Sequence, residues 1–176
     1  MSHHDHHEDD AELKRDFWKA LISDRTLMLG VQGHEDGATR PMTAQVDQPD
    51  GADKGDGGTI YFFASKNEGV GAALGAGSDR AIASFQSKDH GIFASINGRL
   101  VAHNDRATIE RLWSPFAAMY YKDGKEDPNL LLIRFDTESA DLWRSDTSGF
   151  LKAAAYKLIG KDAGQLNPED RAEVAL

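Results

Sequence analysis

Thr59-Ile60-Tyr61-Phe62-Phe63-Ala64-Ser65-Lys66 is the stretch on which the fold turns. Ile60 to Ala64 is an unbroken apolar run, rich in aromatic and β-branched side chains, and Ser65-Lys66-Asn67-Glu68 ends it. It is the strongest strand signal in the chain. The strand before it is Thr39-Arg40-Pro41-Met42-Thr43-Ala44-Gln45-Val46. Proline cannot donate a ladder hydrogen bond, which assigns this segment to an edge or a bulge. Pairing is expected to stop at Pro41 and to leave backbone groups nearby for a ligand. Between the two strands, residues 47–58 hold four glycines, four aspartates and a proline, the composition of a solvated hairpin loop.

Working outward, Thr26–Val31 reads as a strand, returned by the glycine- and acid-rich turn 33–37. Upstream, Leu13, Phe17, Ala20 and Leu21 recur at helical spacing and predict a helix from about Asp9 to Ser23. Downstream, a short helix is expected over Val70–Leu74. Strands follow at Arg80–Phe85 and at Gly91–Ile96, the latter continuing through a bulge at Asn97-Gly98 to Ala102. Asp105 is a natural N-cap for a helix ending near Leu112, and Ser114-Pro115 starts another. Leu130–Phe135 is a last long strand, resumed after a kink at Ala140–Arg144. Gly149–Leu158 reads as helix, and the polar residues from Gly160 onward as a frayed end. About six strands thus follow one another through short connections, which excludes a doubly wound parallel sheet. The expected class is mainly β, an antiparallel barrel with flanking helices.

A chain of 176 residues fits one domain, expected over residues 11–160 between polar tails at 1–10 and 161–176. There is no cysteine, hence no disulfide and no thiolate chemistry. A net charge of -9 is wrong for a general nucleic-acid or anionic-membrane binder. No signal peptide or membrane span is legible, so a cytoplasmic protein is expected. Four of the seven histidines, His3, His4, His6 and His7, crowd the first ten residues. They read as a tail, with metal capture as the alternative; no second cluster completes a metal site, and none is assigned.

Two short segments carry candidate chemistry. In Arg40-Pro41-Met42, a forked cation stands beside a ladder-breaking proline, suited to a phosphate or a carbonyl-bearing heterocycle. In Ser65-Lys66, a hydroxyl and an ammonium meet the amides of a helix start, which suits an anion. No P-loop and no dinucleotide fingerprint is present.

Thr39-Arg40-Pro41-Met42, Ile60 to Lys66 and Gly98-Arg99-Leu100-Val101, in that order and spacing, resemble the pyridoxamine 5'-phosphate oxidase-like superfamily of flavin-binding split barrels. Ile109 to Phe116 and Asp127-Pro128-Asn129-Leu130 are similar to its general stress protein branch. The resemblance implies a six-stranded antiparallel split barrel and a homodimer with flavin mononucleotide (FMN) at the interface. FAD, a deazaflavin or haem are the alternative cofactors. It further implies that Arg40, Pro41 and Met42 line the flavin, that Phe63 and Ala64 lie under it, and that Ser65 and Lys66 hold its phosphate. Trp113 would approach the ring from the partner chain or pack between helix and barrel. The arginine–histidine substrate motif of the true vitamin B6 oxidases is missing, since Gln165–Leu176 has Arg171 but no histidine. Oxidation of pyridoxamine phosphate is therefore not expected. A flavin-dependent oxidoreductase acting on a small-molecule redox partner is one reading, and a non-catalytic flavin carrier or redox sensor is the other. No general acid or base is identifiable, so no catalytic residue is named.

Overall fold

The computed structural model describes residues 3–34, 38–145 and 171–176. Helix α1 (His3–Asp24) leads into β1 (Thr26–Val31), β2 (Arg40–Thr43), β3 (Gln45–Asp47) and β4 (Thr59–Ser65). Then come α2 (Gly69–Gly75), β5 (Arg80–Gln86), β6 (Ile92–Ala102), α3 (Arg106–Leu112), α4 (Pro115–Ala118), β7 (Leu130–Arg144) and β8 (Arg171–Val174). Neighbouring strands pair antiparallel in the order β2-β1-β5-β6-β7-β4-β3, and β8 adds to β7.

β2 and β3 end this path on opposite sides, yet only Ala44 separates them in the chain. The sheet therefore has to curl until its two edges meet, which makes it a split barrel. Arg25 pins the seam. It turns the chain from α1 into β1 at φ 66°. Its carbonyl accepts from the Ala44 N–H at 2.7 Å, and its Nε donates to the Ala44 carbonyl at 3.4 Å. A terminal guanidinium nitrogen donates to Gln45 Oε1.

The barrel interior is filled by Phe17 and Leu21 of α1 and by Leu27, Leu29, Ile60, Phe62, Ile96 and Phe135. A second, smaller cluster lies on the other side of β4 and β7, beneath α3 and α4. It contains Tyr61, Ile109, Tyr121, Leu130 and Leu132, with Phe63 and Trp113 packed against it. β4 is thus covered on both faces, which is why its sequence is an apolar run and not an alternation. Among the described residues no helix is long and apolar enough to cross a membrane.

Several expectations need correction. The described sheet has eight strands and not six, because the segment at 39–46 divides and the C-terminal residues contribute β8. The division falls at Ala44, not Pro41. Pro41 stays in register opposite Met28, tolerated because β2 is an edge with one side free of any ladder. α1 starts at His3, before the expected Asp9, and takes the histidine-rich stretch into its first turns. The loop 47–58 is anchored and not merely solvated: Arg15 bridges Asp53 and Asp56, which cap a short 3-10 turn. β7 is one strand through the expected kink, and its register with β6 shifts at Asn97/Gly98, as read, but the extra residue is Glu138 of β7, because Asn97 faces Ser139 and Gly98 faces Thr137. The expected frayed end contains β8, whose Ala172 is buried opposite Leu142. The helix expected over 149–158 lies outside the described residues.

Phe62 is fully buried and meets the ring of Phe135 at 6.2 Å. Phe62→Ala should cost about 3–5 kcal/mol of stability, whereas Phe116→Ala, half-exposed on α4, should change it by less than about 0.5 kcal/mol. Urea unfolding of both variants checks the contrast.

Candidate binding site

A groove of about 370 Å³ opens where the barrel edges meet. Arg40 and Gln45 of β2 and β3, Ser65 at the end of β4, and Glu68 form its polar side, with Met42 between them. Phe63 forms an apolar side with Phe116, Ala117, Tyr120 and Tyr121 from α4 and the residues after it.

Two glycines allow this close assembly. Gly69 has φ +52°, and a Cβ there would lie 2.3 Å from Arg40 Nη1, so the guanidinium rests against bare backbone. A Cβ on Gly71 would lie 1.9 Å from the Ser65 carbonyl oxygen, so α2 presses directly on the end of β4. Arg40 and Ser65 are brought to one groove by these approaches. Ser65 Oγ accepts from the Asn67 N–H at 3.4 Å, which leaves its own hydroxyl proton to donate.

Gln45 is one of the groove residues the sequence reading missed, with Glu68, Phe116, Tyr120 and Tyr121. It is 7% exposed and lines the groove. Arginine only donates, so the amide must turn its oxygen to Arg25. Its NH₂ is then the end left for a ligand. In an unbroken strand Gln45 would face away from Arg40 and Met42. The break at Ala44 returns it to their side, and no local sequence signal marks that break.

Of the residues named from sequence, Arg40, Pro41, Met42, Phe63, Ala64 and Ser65 all border the groove. Lys66 and Trp113 are not among its lining residues. Lys66 follows Ser65 to the outside of the mouth, where Nζ donates to the Pro128 carbonyl at 2.9 Å. Its backbone N–H donates to the Asn129 carbonyl at 2.9 Å, tying the end of β4 to the turn that precedes β7. Trp113 stands one layer behind Phe63, edge-on at 5.5 Å and 85°, and 6.0 Å from the ring of Tyr121.

The chain has known counterparts. The family model described as pyridoxamine 5'-phosphate oxidase like matches residues 12–165. The chain belongs to that family. Among solved structures, the general stress FMN/FAD-binding protein of Xanthomonas citri is 48% identical, with a TM-score of 0.68 over 77% of this chain and 91% of that one. A general stress family protein of Xanthomonas campestris pv. campestris is also 48% identical, with a TM-score of 0.67 over 77% and 89%. A protein named for general stress protein 26, from Jannaschia sp. CCS1, is 26% identical, with a TM-score of 0.70 over 94% and 99%. No curated protein matches the chain.

Burial pushes the Tyr121 phenol up to about 12, with the carboxylate of Asp127 adding to the effect. Tyr121 therefore stays protonated, a donor and not an anion, at any physiological pH. Tyr61 is also raised, first by burial and then by Asp47. A raised acid keeps its proton in the folded chain while the unfolded chain loses it. Stability is then complete below the ordinary tyrosine value and declines as pH rises from about 10 to about 12. The part due to Tyr121 should be about 2–3 kcal/mol at most and should vanish in Tyr121→Phe. Urea midpoints measured across that pH range check both statements.

Proposed function

We propose that the groove binds a flavin, FMN in preference to FAD or a deazaflavin, and that two chains assemble around a pair of such sites. The observation that carries this reading is the pairing of its two sides. Donors at Arg40, Gln45 and Ser65 face a wall built from Phe63, Phe116 and Tyr120. A planar ring with a carbonyl edge and an anionic tail needs both. The 48% identity to a protein that binds FMN or FAD supports the same ligand class.

The division of roles follows from position. Gln45 offers its NH₂ to a ring carbonyl, while Arg25 fixes the amide from behind. Arg40 lies against Gly69 and supplies a forked donor. Ser65 donates its hydroxyl to the terminal phosphate. Lys66 joins it by exchanging the neutral Pro128 carbonyl for a charged acceptor, a stronger partner for an ammonium. Phe63, backed by Trp113, gives the ring an apolar surface. The flavin, when bound, supplies the electron-transfer chemistry, and the chain supplies orientation and hydrogen bonds.

Dimerisation is supported by large apolar side chains left exposed. Phe116, Met119 and Tyr120 stand beside the groove, and Met28 and Ile82 lie on the outer face of β1 and β5. Light scattering of the flavin-loaded protein should report a dimer, and a monomer at micromolar concentration would refute it. Within this reading the protein is an oxidoreductase for a small molecule other than pyridoxamine phosphate. Stopped-flow reduction by nicotinamide donors separates it from a non-catalytic carrier or redox sensor, which would be reduced slowly or not at all.

The site itself is tested by titrating FMN and riboflavin into variants and following flavin fluorescence. A hydrogen bond to a charged group is worth about 1.5–3 kcal/mol. Lys66→Ala should therefore weaken FMN by roughly tenfold to a hundredfold and leave riboflavin unchanged. Gln45→Glu keeps a partner for Arg25 but turns a donor into an acceptor, so it should weaken both ligands by about tenfold or more. Wild-type protein that binds neither flavin would overturn the proposal. Equal loss of both ligands in Lys66→Ala would remove that residue from the phosphate.

A further inference from the structure

Exposure divides the groove into a floor and a mouth. Gln45, Ala64 and Tyr121 are at most 8% exposed and form the floor. Phe116 is 47% exposed, Tyr120 is 69% exposed and Glu68 is exposed as well, so these three form the mouth. The rings of Phe116 and Tyr120 stand 5.3 Å apart with their planes at 64°, which makes an aromatic corner. Glu68 precedes α2 as its N-cap residue, yet its side chain makes no capping hydrogen bond. Among the described residues its carboxylate has no hydrogen bond or ion pair. By contrast Asp47, Asp56, Asp136 and Glu138 are each held by an arginine.

A solvated carboxylate is ordinary on a surface. One that shares a groove with two exposed aromatic rings is a different matter, because both favour the same ligand. Aromatic faces stack on flat rings and attract cations through their quadrupole. A carboxylate attracts the same cations and repels anions. Asp127 adds the same sign at the wall, since its carboxylate acts on the Tyr121 phenol. At longer range the net charge of -9 draws cations towards the chain. We propose that the mouth binds a flat, positively charged organic molecule, an aromatic cation of the N-alkylated quinoline kind, as the small-molecule partner of the flavin. This rests on the flavin reading above: Arg40 is then engaged by the flavin, and with a flavin on the floor against Phe63 the corner and Glu68 remain over it. Stacking on Phe116 and Tyr120 supplies affinity, and Glu68 selects the charge.

Calorimetric titration of the flavin-loaded chain with N-methylquinolinium, quinoline and quinoline carboxylate at neutral pH tests the site. The three share a ring system and differ in charge. The cation should bind about fivefold or more tighter than quinoline, and the carboxylate should bind most weakly. Glu68→Gln should weaken the cation by about two- to fivefold, the range of an exposed ion pair, and leave quinoline unchanged. Tyr120→Leu removes the ring and keeps an apolar side chain, so it should weaken both compounds, the cation more. Added salt should erode the preference for the cation. Equal affinity for cation and quinoline would overturn the proposal, as would equal loss of both in Glu68→Gln or no binding of the cation. If the chain takes up no flavin, the flavin reading fails, and the same titration of the flavin-free chain still decides whether the mouth selects aromatic cations.

Discussion

The structure depends on closing an eight-stranded sheet through a single residue. β2 and β3 belong to opposite ends of the hydrogen-bonded path, and Ala44 alone connects them. Such a short link cannot be relaxed by loop motion, so the positions of both edges are coupled. Arg25 holds the link through its own carbonyl, its Nε and its terminal nitrogen. A left-handed φ of 66° at a non-glycine residue is strained backbone, and here it aims these groups at Ala44 and Gln45. The groove exists for the same reason: two edges that meet without pairing leave a cleft and unspent hydrogen-bonding capacity on either side.

The second cluster then decides the character of that cleft. Tyr61 and Phe63 leave the barrel interior and pack under α3 and α4 with Leu130, Leu132 and Trp113. This cluster supports the apolar wall, because Phe63 and Tyr121 belong both to it and to the groove. Arg111 ties α3 back to β3 through Asp47, with contacts at 3.0 and 2.6 Å. The polar side is held by the barrel seam and the apolar side by the outer cluster. The width of the groove is therefore set by how α3 and α4 dock on β4 and β7.

Much of this was legible from local rules. Helix caps at Asp105 and Ser114 were readable because a capping side chain sits next to the amides it accepts from, and both accept as expected. The register shift at Asn97-Gly98 was readable from a glycine within a long strand pattern, although the extra residue, Glu138, is on the facing strand. β8 was not, because four residues pairing with a strand some 30 positions earlier leave only a weak local alternation. Six of the residues named from sequence border the groove, because the two strand-end motifs that supply them are contiguous in sequence. Gln45 escaped because its orientation depends on a break that only closure of the barrel imposes. Lys66 was placed inside because sequence proximity to Ser65 does not reveal that neighbouring residues diverge at a strand end. Trp113 was named with two alternatives, and within the chain it occupies the second, packed between helix and strand.

The acidity of the chain sharpens what the groove must do. A net charge of -9 opposes any anionic ligand at a distance. Screening confines that opposition, since exposed charges fade over about 8 Å at physiological ionic strength. Close to the seam the balance is different. Arg25 adjoins the groove and is directed at Gln45 and not at a carboxylate. By contrast Arg15, Arg80, Arg99, Arg106, Arg111, Arg134 and Arg144 are all paired with acids away from the groove. The chain thus neutralises its outlying guanidinium groups locally. Attraction of an anion then depends on a few short-range donors at the seam, and it gains selectivity from geometry where it lacks long-range steering.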